Sequence, residues 1–397
     1  MTTKKQEVRK VPNLRFPGFE GEWEEKQLGS LLEFKNGINA SKENYGRGVK
    51  FINVLDILNN NFITYDKIIG SVDVQQNVAD KYSVNYGDIL FQRSSETREE
   101  VGTANVYLDR EHTATFGGFV IRGRKIGNYN PVFLNELLKT GSARDSITSK
   151  SGGSTRFNVG QEILSSIKLL FPEINEQTKI ADFLSICDER IEQSSKIIEE
   201  LKSFKSAVSK KIFSQELRFK DDNGEDFAEW EEKKLGECLD YEQPTKYLVT
   251  STEYEDKYET PVVTAGKTFI LGYTNETTGI FEQDLPVIIF DDFTTSTQFV
   301  NFPFKAKSSA MKILKATEGL ITRFIYEALQ MINYEIGGHG RHWISVYEKL
   351  EILIPSYPEQ AKIADFLTRI DEKIELETSL LQQLKLQKQY FLSQMFI

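Results

Sequence analysis

Cysteine and histidine are scarce in this 397-residue sequence, which holds only Cys187 and Cys238, and His112, His339 and His342. Two cysteines in unlike surroundings make no disulfide framework, and such usage suits a reducing cytoplasm. So few thiols and imidazoles offer no zinc-type ligand spacing, so no metal is expected. No apolar run nears the roughly 18 residues of a membrane helix, so no membrane partner is expected either. The start, MTTKKQEVRK, is charged with no apolar stretch behind it, unlike a signal peptide. An excess of positive charge is also missing: 49 Lys and Arg face 59 Asp and Glu, for a net charge of −10. Nucleic-acid binders are usually basic. A DNA reader of this composition must concentrate its cations locally or draw on partners.

The motifs of catalysis are absent too. Gly266-Lys267-Thr268 imitates the end of a phosphate-binding loop, but Pro261 stands where that loop needs its first glycine. The glycine-rich stretch Phe16 to Gly21 follows no predicted strand, which removes it as a dinucleotide loop. Asn130-Pro131-Val132-Phe133 is half of the Asn-Pro-Pro-aromatic motif of adenine methyltransferases. Asp291-Asp292 lacks the positioned lysine of a nuclease, and paired acids on a loop are usually solvated. No Gly-x-Ser-x-Gly or Cys/His pairing occurs. No catalytic residue and no cofactor is therefore assigned to this chain.

What the sequence does have is a repeat. QTKIADFL at 177–184 returns as QAKIADFL at 360–367, and WEEKQLG at 23–29 returns as WEEKKLG at 230–236. Leu14-Arg15-Phe16 likewise returns as Leu217-Arg218-Phe219. The chain thus reads as tag, long middle and helix motif, twice over, and its length also exceeds one ordinary core. After each KIADFL the apolar positions step alternately by three and four. The first seam is Leu184, Cys187, Ile191, Ser194, Ile198, Leu201, Lys205, Val208 and Ile212. The second is Leu367, Ile370, Ile374, Glu377, Leu381, Leu384, Lys388, Phe391 and Met395, each 183 residues on. A sustained 3-4 seam predicts coiled-coil packing, and no Pro or Gly interrupts either stretch. At about 1.5 Å per residue, Gln177 to Gln215 makes a rod of about 58 Å. Dimerisation with another chain is the plain alternative. Two matching seams within one chain favour an internal antiparallel pair, with the matched polar steps fixing register.

Each middle mixes short β-type runs with polar loops and one short helix. Val49 to Val54, Gly87 to Phe91 and Phe119 to Ile121 are strand-like in the first, with Pro131 to Lys139 helical. Thr260 to Thr264, Pro286 to Phe290 and Met311 to Leu314 are strand-like in the second, with Gly319 to Ile332 helical. Each middle ends in a strand running into Pro172 or Pro355. Just before that strand lies a glycine-rich cationic loop: Lys150, Gly152, Gly153, Ser154, Thr155 and Arg156 in one copy. Gly337, Gly338, His339, Arg341 and His342 make the other. Paired glycines let backbone approach another surface, and an arginine after them can contact a phosphate or a guanine edge. Further DNA-contact candidates are Arg93, Ser94 and Arg98, the acid-free run Arg122, Arg124 and Lys125, and, in the second middle, Lys267, Thr294, Thr295 and Gln298. For any one loop alone, an ordinary surface turn is the competing reading. The recurrence of Gly-Gly-x-x-Arg in both copies raises this pair above it.

This layout resembles the specificity subunits of type I restriction-modification systems over nearly the whole chain. The carriers are LRFPGFEGEWEEKQLG, its echo from Leu217 to Gly236, and the EQTKIADFL and EQAKIADFL helix openings. The resemblance implies an α+β protein: two target recognition domains joined by two long antiparallel coiled-coil helices in a pseudo-twofold repeat. Residues 1–11 are an N-terminal tail, 12–171 and 217–354 the recognition domains, and 172–216 and 355–397 the spacer helices. It further implies that each domain reads one half of a bipartite, asymmetric site in double-stranded DNA, with no active site in this chain. The helices would set the spacing and dock two modification (methyltransferase) subunits, which carry S-adenosylmethionine for adenine N6. Restriction (motor and nuclease) subunits would bring ATP and Mg. A coiled-coil adaptor that binds proteins is the alternative.

Overall fold

The computed structural model describes residues 10–266, 268–334 and 341–397. These form two compact units: residues 10–195 with 379–397, and the described residues of 196–378. Both mix strands and helices, and both are built on one plan.

In the first unit a four-stranded antiparallel sheet runs in the order Leu32–Asn36, Val120–Lys125, Ile89–Gln92, Ala104–Val106. A three-stranded sheet follows the order Ser71–Val72, Tyr45–Ile52, Thr115–Phe116. The second unit repeats both. Its four strands are Leu239–Glu242, Met311–Ala316, Val287–Asp291 and Thr297–Val300. Its three are Ile270–Thr274, Thr260–Val263 and Lys305–Ala306. In both three-stranded sheets one pairing is antiparallel and the other parallel. The duplication therefore extends through middles whose sequences differ.

Period-2 geometry explains the unbroken apolar runs at the centre. Ile89 and Phe91 face one core and Leu90 a second, because successive side chains point to opposite faces of a strand. Ile288 and Phe290, against Val287 and Ile289, divide in the same way. Each central strand is thus buried on both sides. The helix Pro131–Lys139 starts where its sequence says it should: Pro131 takes the first turn and the Asn130 side chain accepts from the Val132 and Phe133 N–H groups.

The repeated tags form one joint in each unit. Strand Glu24–Gln27 pairs antiparallel with Lys168–Phe171, and Glu231–Lys234 with Glu351–Ile354. Behind them, Arg15 forks onto Glu176 with both distances 2.7 Å, and Arg218 onto Glu359 at 3.3 and 2.9 Å. Both carboxylates are fully buried. The next residue ties the turn together. Gln177 donates to the Pro172 carbonyl and accepts from the Asn130 N–H, while Gln360 donates to Pro355 and accepts from Ile321. The repeated Glu-Gln that opens each helix motif is thus the socket for the repeated tag.

The long helices are Ile174–Phe213, 40 residues, and Tyr357–Met395, 39 residues. The first begins three residues before the expected Gln177 and stops at Phe213, with Gln215 beyond it in left-handed backbone at φ 61°. All of the seam positions are buried or half-buried. In the first unit Phe183 meets Phe391 at 4.9 Å between ring centroids, and Asp188 meets Lys388. In the second, Val208 and Ile212 share a core with Ile363, Leu367 and Ile370. The numbering rises along one helix as it falls along the other, so the pair is antiparallel and lies within one chain. Among the described residues no helix is long and apolar enough to cross a membrane.

The lysine steps of the seam are ionic. In the first unit Lys388 lies 2.9 Å from Glu136 and 2.6 Å from Asp188. In the second unit Lys205 lies 3.0 Å from Glu327 and 2.8 Å from Asp371. The two helices exchange roles between units, one supplying the lysine where the other supplies the aspartate.

Candidate nucleic-acid interface

In each unit the strand buried at the centre of the sheet emits a loop at one end, and a segment from much later in the chain is laid across it. In the first unit the loop starts at Arg93. Its N–H donates to the Phe119 carbonyl at 2.9 Å, and its carbonyl accepts from the Val159 N–H at 3.0 Å. In the second unit Asp292 has the same place: its N–H donates to Ala310 and its carbonyl accepts from His342. The backbone frame is shared, and the side chain at its hub has reversed charge.

Around Arg93 most of the first unit's candidates come together. Ser94 and Ser95 pair with Asn158 and Phe157, and the Ser94 hydroxyl donates to Asn158 Oδ1. Gly152 and Asn158 exchange two backbone hydrogen bonds, so the loop holding Ser154, Thr155 and Arg156 projects from the Arg93 strand end. All three side chains are exposed. The Arg156 guanidinium has no partner among the described residues. Gly153 sits at φ +118°, and a Cβ there would lie 2.1 Å from the Arg156 carbonyl oxygen. Its glycine serves the loop's own turn. Gly152 has open space on its Cβ side, but its N–H and carbonyl are both taken by Asn158. Arg98 is also exposed, but its guanidinium is fixed to the Thr148 and Ser149 carbonyls. Lys150 reaches the Ser166 hydroxyl at 3.3 Å.

The run Arg122, Arg124 and Lys125 requires correction as a surface patch. Arg122 and Arg124 stand two apart on one face of a strand, and both donate to the Ser83 carbonyl. Arg122 is buried, and Arg124 holds the buried Asp88 at 3.0 Å. Burial pushes the Asp88 carboxyl up from its ordinary value despite the two guanidinium groups. Lys125 turns to the Tyr129 carbonyl at 2.8 Å. The run is free of acids only along the chain. In space Asp88 and the Ser83 carbonyl supply what it lacked.

In the second unit the loop from Asp291 to Ser296 is a tight turn. The Asp291 carboxylate accepts from the Phe293 and Thr294 N–H groups at 2.8 Å, and Thr295 takes left-handed backbone at φ 57°. Thr294 is at the exposed tip, and Gln298 lies in the following strand opposite Ile289. Arg341 is exposed, whereas the next residue, His342, is buried. Lys267, Gly337, Gly338 and His339 lie outside the described residues. Asp292 is not the solvated acid its sequence suggested. It is buried, accepts from the Trp343 N–H at 2.9 Å, and has Lys312 at 3.6 Å.

Sequence reasoning missed an apolar cavity of about 350 Å³ beside the Arg93 hub. Phe119 and Leu55 form an exposed rim, Phe51 and Asn53 also line it, and Arg93 donates to the Gly118 carbonyl in its wall. Exposed large apolar groups amid a polar loop cluster were the available signal.

A family model described as the type I restriction modification DNA specificity domain matches this chain twice, over residues 20–203 and 228–386. The specificity subunit of the type I restriction enzyme EcoR124I/EcoR124II of Escherichia coli is 46% identical over 175 residues, which are 42% of this chain and 43% of that protein. This match therefore spans less than half the length of that relative. A putative type I restriction enzyme MjaX specificity subunit of Methanocaldococcus jannaschii is 24% identical over 94% of this chain and 91% of its own. Among solved structures, the S subunit of a type I restriction-modification system from M. genitalium superposes with a TM-score of 0.65 at 18% identity. That match covers 98% of this chain and 99% of the other. A chain from a study of complex assembly and conformational transition of the type I restriction-modification system gives 0.53 at 13% identity, covering 96% and 98%. At these identities the structural likenesses speak for the fold.

Proposed function

The chain belongs to the family of type I restriction-modification DNA specificity domains, and from that premise we propose that it selects the DNA sequence on which a type I enzyme acts. Each unit reads one half of a bipartite, asymmetric site in double-stranded DNA. The observation that carries this is the shared hub: in both units a strand-end loop meets, on one backbone frame, a later segment that follows an exposed arginine, Arg156 or Arg341. Identical frames with unlike side chains are what two readers of unlike half-sites require. Bases are distinguished by the side chains presented to the groove, while phosphate contacts set position. The antiparallel helices set the spacing between half-sites and offer the surface on which two modification subunits dock. This subunit contributes no chemistry of its own. S-adenosylmethionine belongs to the modification subunits, which methylate adenine N6, and ATP with Mg belongs to the restriction subunits. The assembly is cytoplasmic. Partners that enclose the duplex answer the net charge of −10, since this chain then supplies only local contacts. A protein-binding adaptor leaves the doubled loop frame without a use.

The test is a domain exchange. Replacing residues 30–170 by the corresponding domain of another family member, in the complex with methyltransferase subunits, should change one half of the methylated sequence and leave the other. Mapping of methylated adenines reads the result, and change in both halves would refute the assignment. A finer expectation separates the two arginine sets. Arg156→Ala should weaken specific DNA binding by about 1–3 kcal/mol without altering the melting temperature. Arg122→Ala should lower the melting temperature, because its guanidinium serves the interior. Equal DNA affinity for Arg156→Ala and wild type would remove Arg156 from the interface.

A further inference from the structure

The two ionic clusters at the seam differ in their second cation: in the first unit Lys139 joins Lys388 at Glu136, at 2.7 Å, while in the second that part falls to an arginine. In the second unit Arg323 is the second residue of helix Thr322–Gln330 and lies one turn before Glu327. Its guanidinium donates to Glu327 at 2.6 Å and to Asp371, and it lies 4.9 Å from the ring centre of Phe299 and 5.4 Å from that of Tyr326. In the first unit the second residue of helix Pro131–Lys139 is Val132, one turn before Glu136. Where the second unit holds a guanidinium, the first has a cavity of about 170 Å³. Val132 and Phe62 line its apolar side. Asn135, Glu136, Asp188, Glu189 and Glu192 line the other. Asn135 is buried, and its side-chain carbonyl has no hydrogen-bond partner among the described residues. Glu189 and Glu192 are exposed at the cavity and form no ion pair among the described residues.

A flat cation is the group that fits these walls. An apolar side accepts the methylenes of an arginine and the face of its guanidinium, and carboxylates with a free amide oxygen accept its N–H groups. The second unit shows the same helix position, glutamate and aspartate holding one. We propose that the first unit's cavity receives an arginine side chain of a methyltransferase subunit, in the place that Arg323 occupies in the second unit. The two units, alike in plan, thereby offer that partner unlike footholds. This rests on the reading of the chain as a subunit of a type I complex.

The test fills or neutralises the site in the full-length chain. Val132→Arg supplies the guanidinium internally. It should keep the melting temperature at or above that of wild type and weaken association with the methyltransferase subunit by about thirtyfold or more, the scale of a lost buried charge pair. A clear fall in melting temperature would show that the cavity does not accommodate the group and would overturn the proposal. The double variant Glu189→Gln, Glu192→Gln changes only exposed positions. It should weaken association by about tenfold with the fold intact, and unchanged association would overturn the proposal. N-acetyl-arginine amide at millimolar concentration should raise the melting temperature of the isolated wild-type chain, while the uncharged N-acetyl-citrulline amide should not. Equal effects of the two would again overturn it. If wild type binds no methyltransferase subunit, the functional reading falls, and the arginine amide still decides whether the cavity takes a guanidinium.

Discussion

Lys388→Ala should destabilise the protein by about 3–5 kcal/mol, the cost of leaving a buried charge without its partner. Its ammonium lies between Glu136, whose side chain is 1% exposed, and Asp188, 14% exposed. Lys139, 2.7 Å from Glu136, remains to pair with it, but among the described residues no other cation pairs with Asp188. Lys205→Ala should cost less, about 1–3 kcal/mol, because Arg323 already contacts both Glu327 and Asp371. Urea unfolding followed by tryptophan fluorescence ranks the two, and a larger loss for Lys205→Ala would refute this ordering. The pH dependence is a second signature. Burial pushes the Glu136 carboxyl up, yet Lys139 and Lys388 outweigh it and hold it below its ordinary value. A depressed carboxylate contributes its stability above its unfolded value, about 4.3, and loses it as pH falls through the lower folded value. The gap between wild type and Lys388→Ala should therefore be widest near neutrality and close below about pH 4. A gap that persists unchanged in acid would mean that lost packing, not charge, is responsible.

Much of this frame was legible because it is local or repeated. The 3-4 seam states which helix faces are covered, and Pro131 to Lys139 announces its helix by its own cap. The offset between the two copies made Lys205 and Lys388 stand out as equivalent before either had a partner. What those lysines bind was not legible, since Glu136 and Asp188 lie in separate elements joined to Lys388 only by folding. The same holds for Arg122 and Arg124. A strand face decides whether a cation is outside, and the chain order of Arg122, Arg124 and Lys125 says nothing of Ser83 or Asp88. Gly152 and Gly153 look alike in sequence, yet only the second has the backbone that needs glycine. Of the candidate interface, the sequence displays only a Gly-Gly-x-x-Arg pattern that occurs twice. The meeting of the later segments with Arg93 and Asp292 depends on long-range strand pairing, which one sequence does not display.

The repeated tags lead to the other large effect, and the two copies differ in a way that makes it sharp. Arg15→Ala removes the only cation among the described residues that pairs with Glu176, a carboxylate with 1% of its side chain exposed. The expected loss is about 3–5 kcal/mol. Arg218→Ala strands Glu359 in the same way, but there the Trp230 indole N–H donates to the carboxylate at 3.1 Å. The Trp23 indole nitrogen, its counterpart, has no hydrogen-bond partner among the described residues. The charge that remains in Arg218→Ala is thus partly satisfied, and its loss should be smaller than that of Arg15→Ala by about 1–2 kcal/mol. Replacing the tryptophans reverses the ranking. Trp230→Phe gives up a hydrogen bond to a buried charge, worth about 1.5–3 kcal/mol, in addition to its lost ring area. Trp23→Phe gives up ring area alone, so the hydrogen-bond part of the loss should appear only at Trp230. Four unfolding midpoints decide the matter. If Arg15→Ala and Arg218→Ala are equal while the two tryptophan variants are also equal, the indole bond contributes nothing and the two joints are energetically one. The crossed ranking requires the opposite: a duplicated socket in which one copy has added a second donor to the same buried carboxylate.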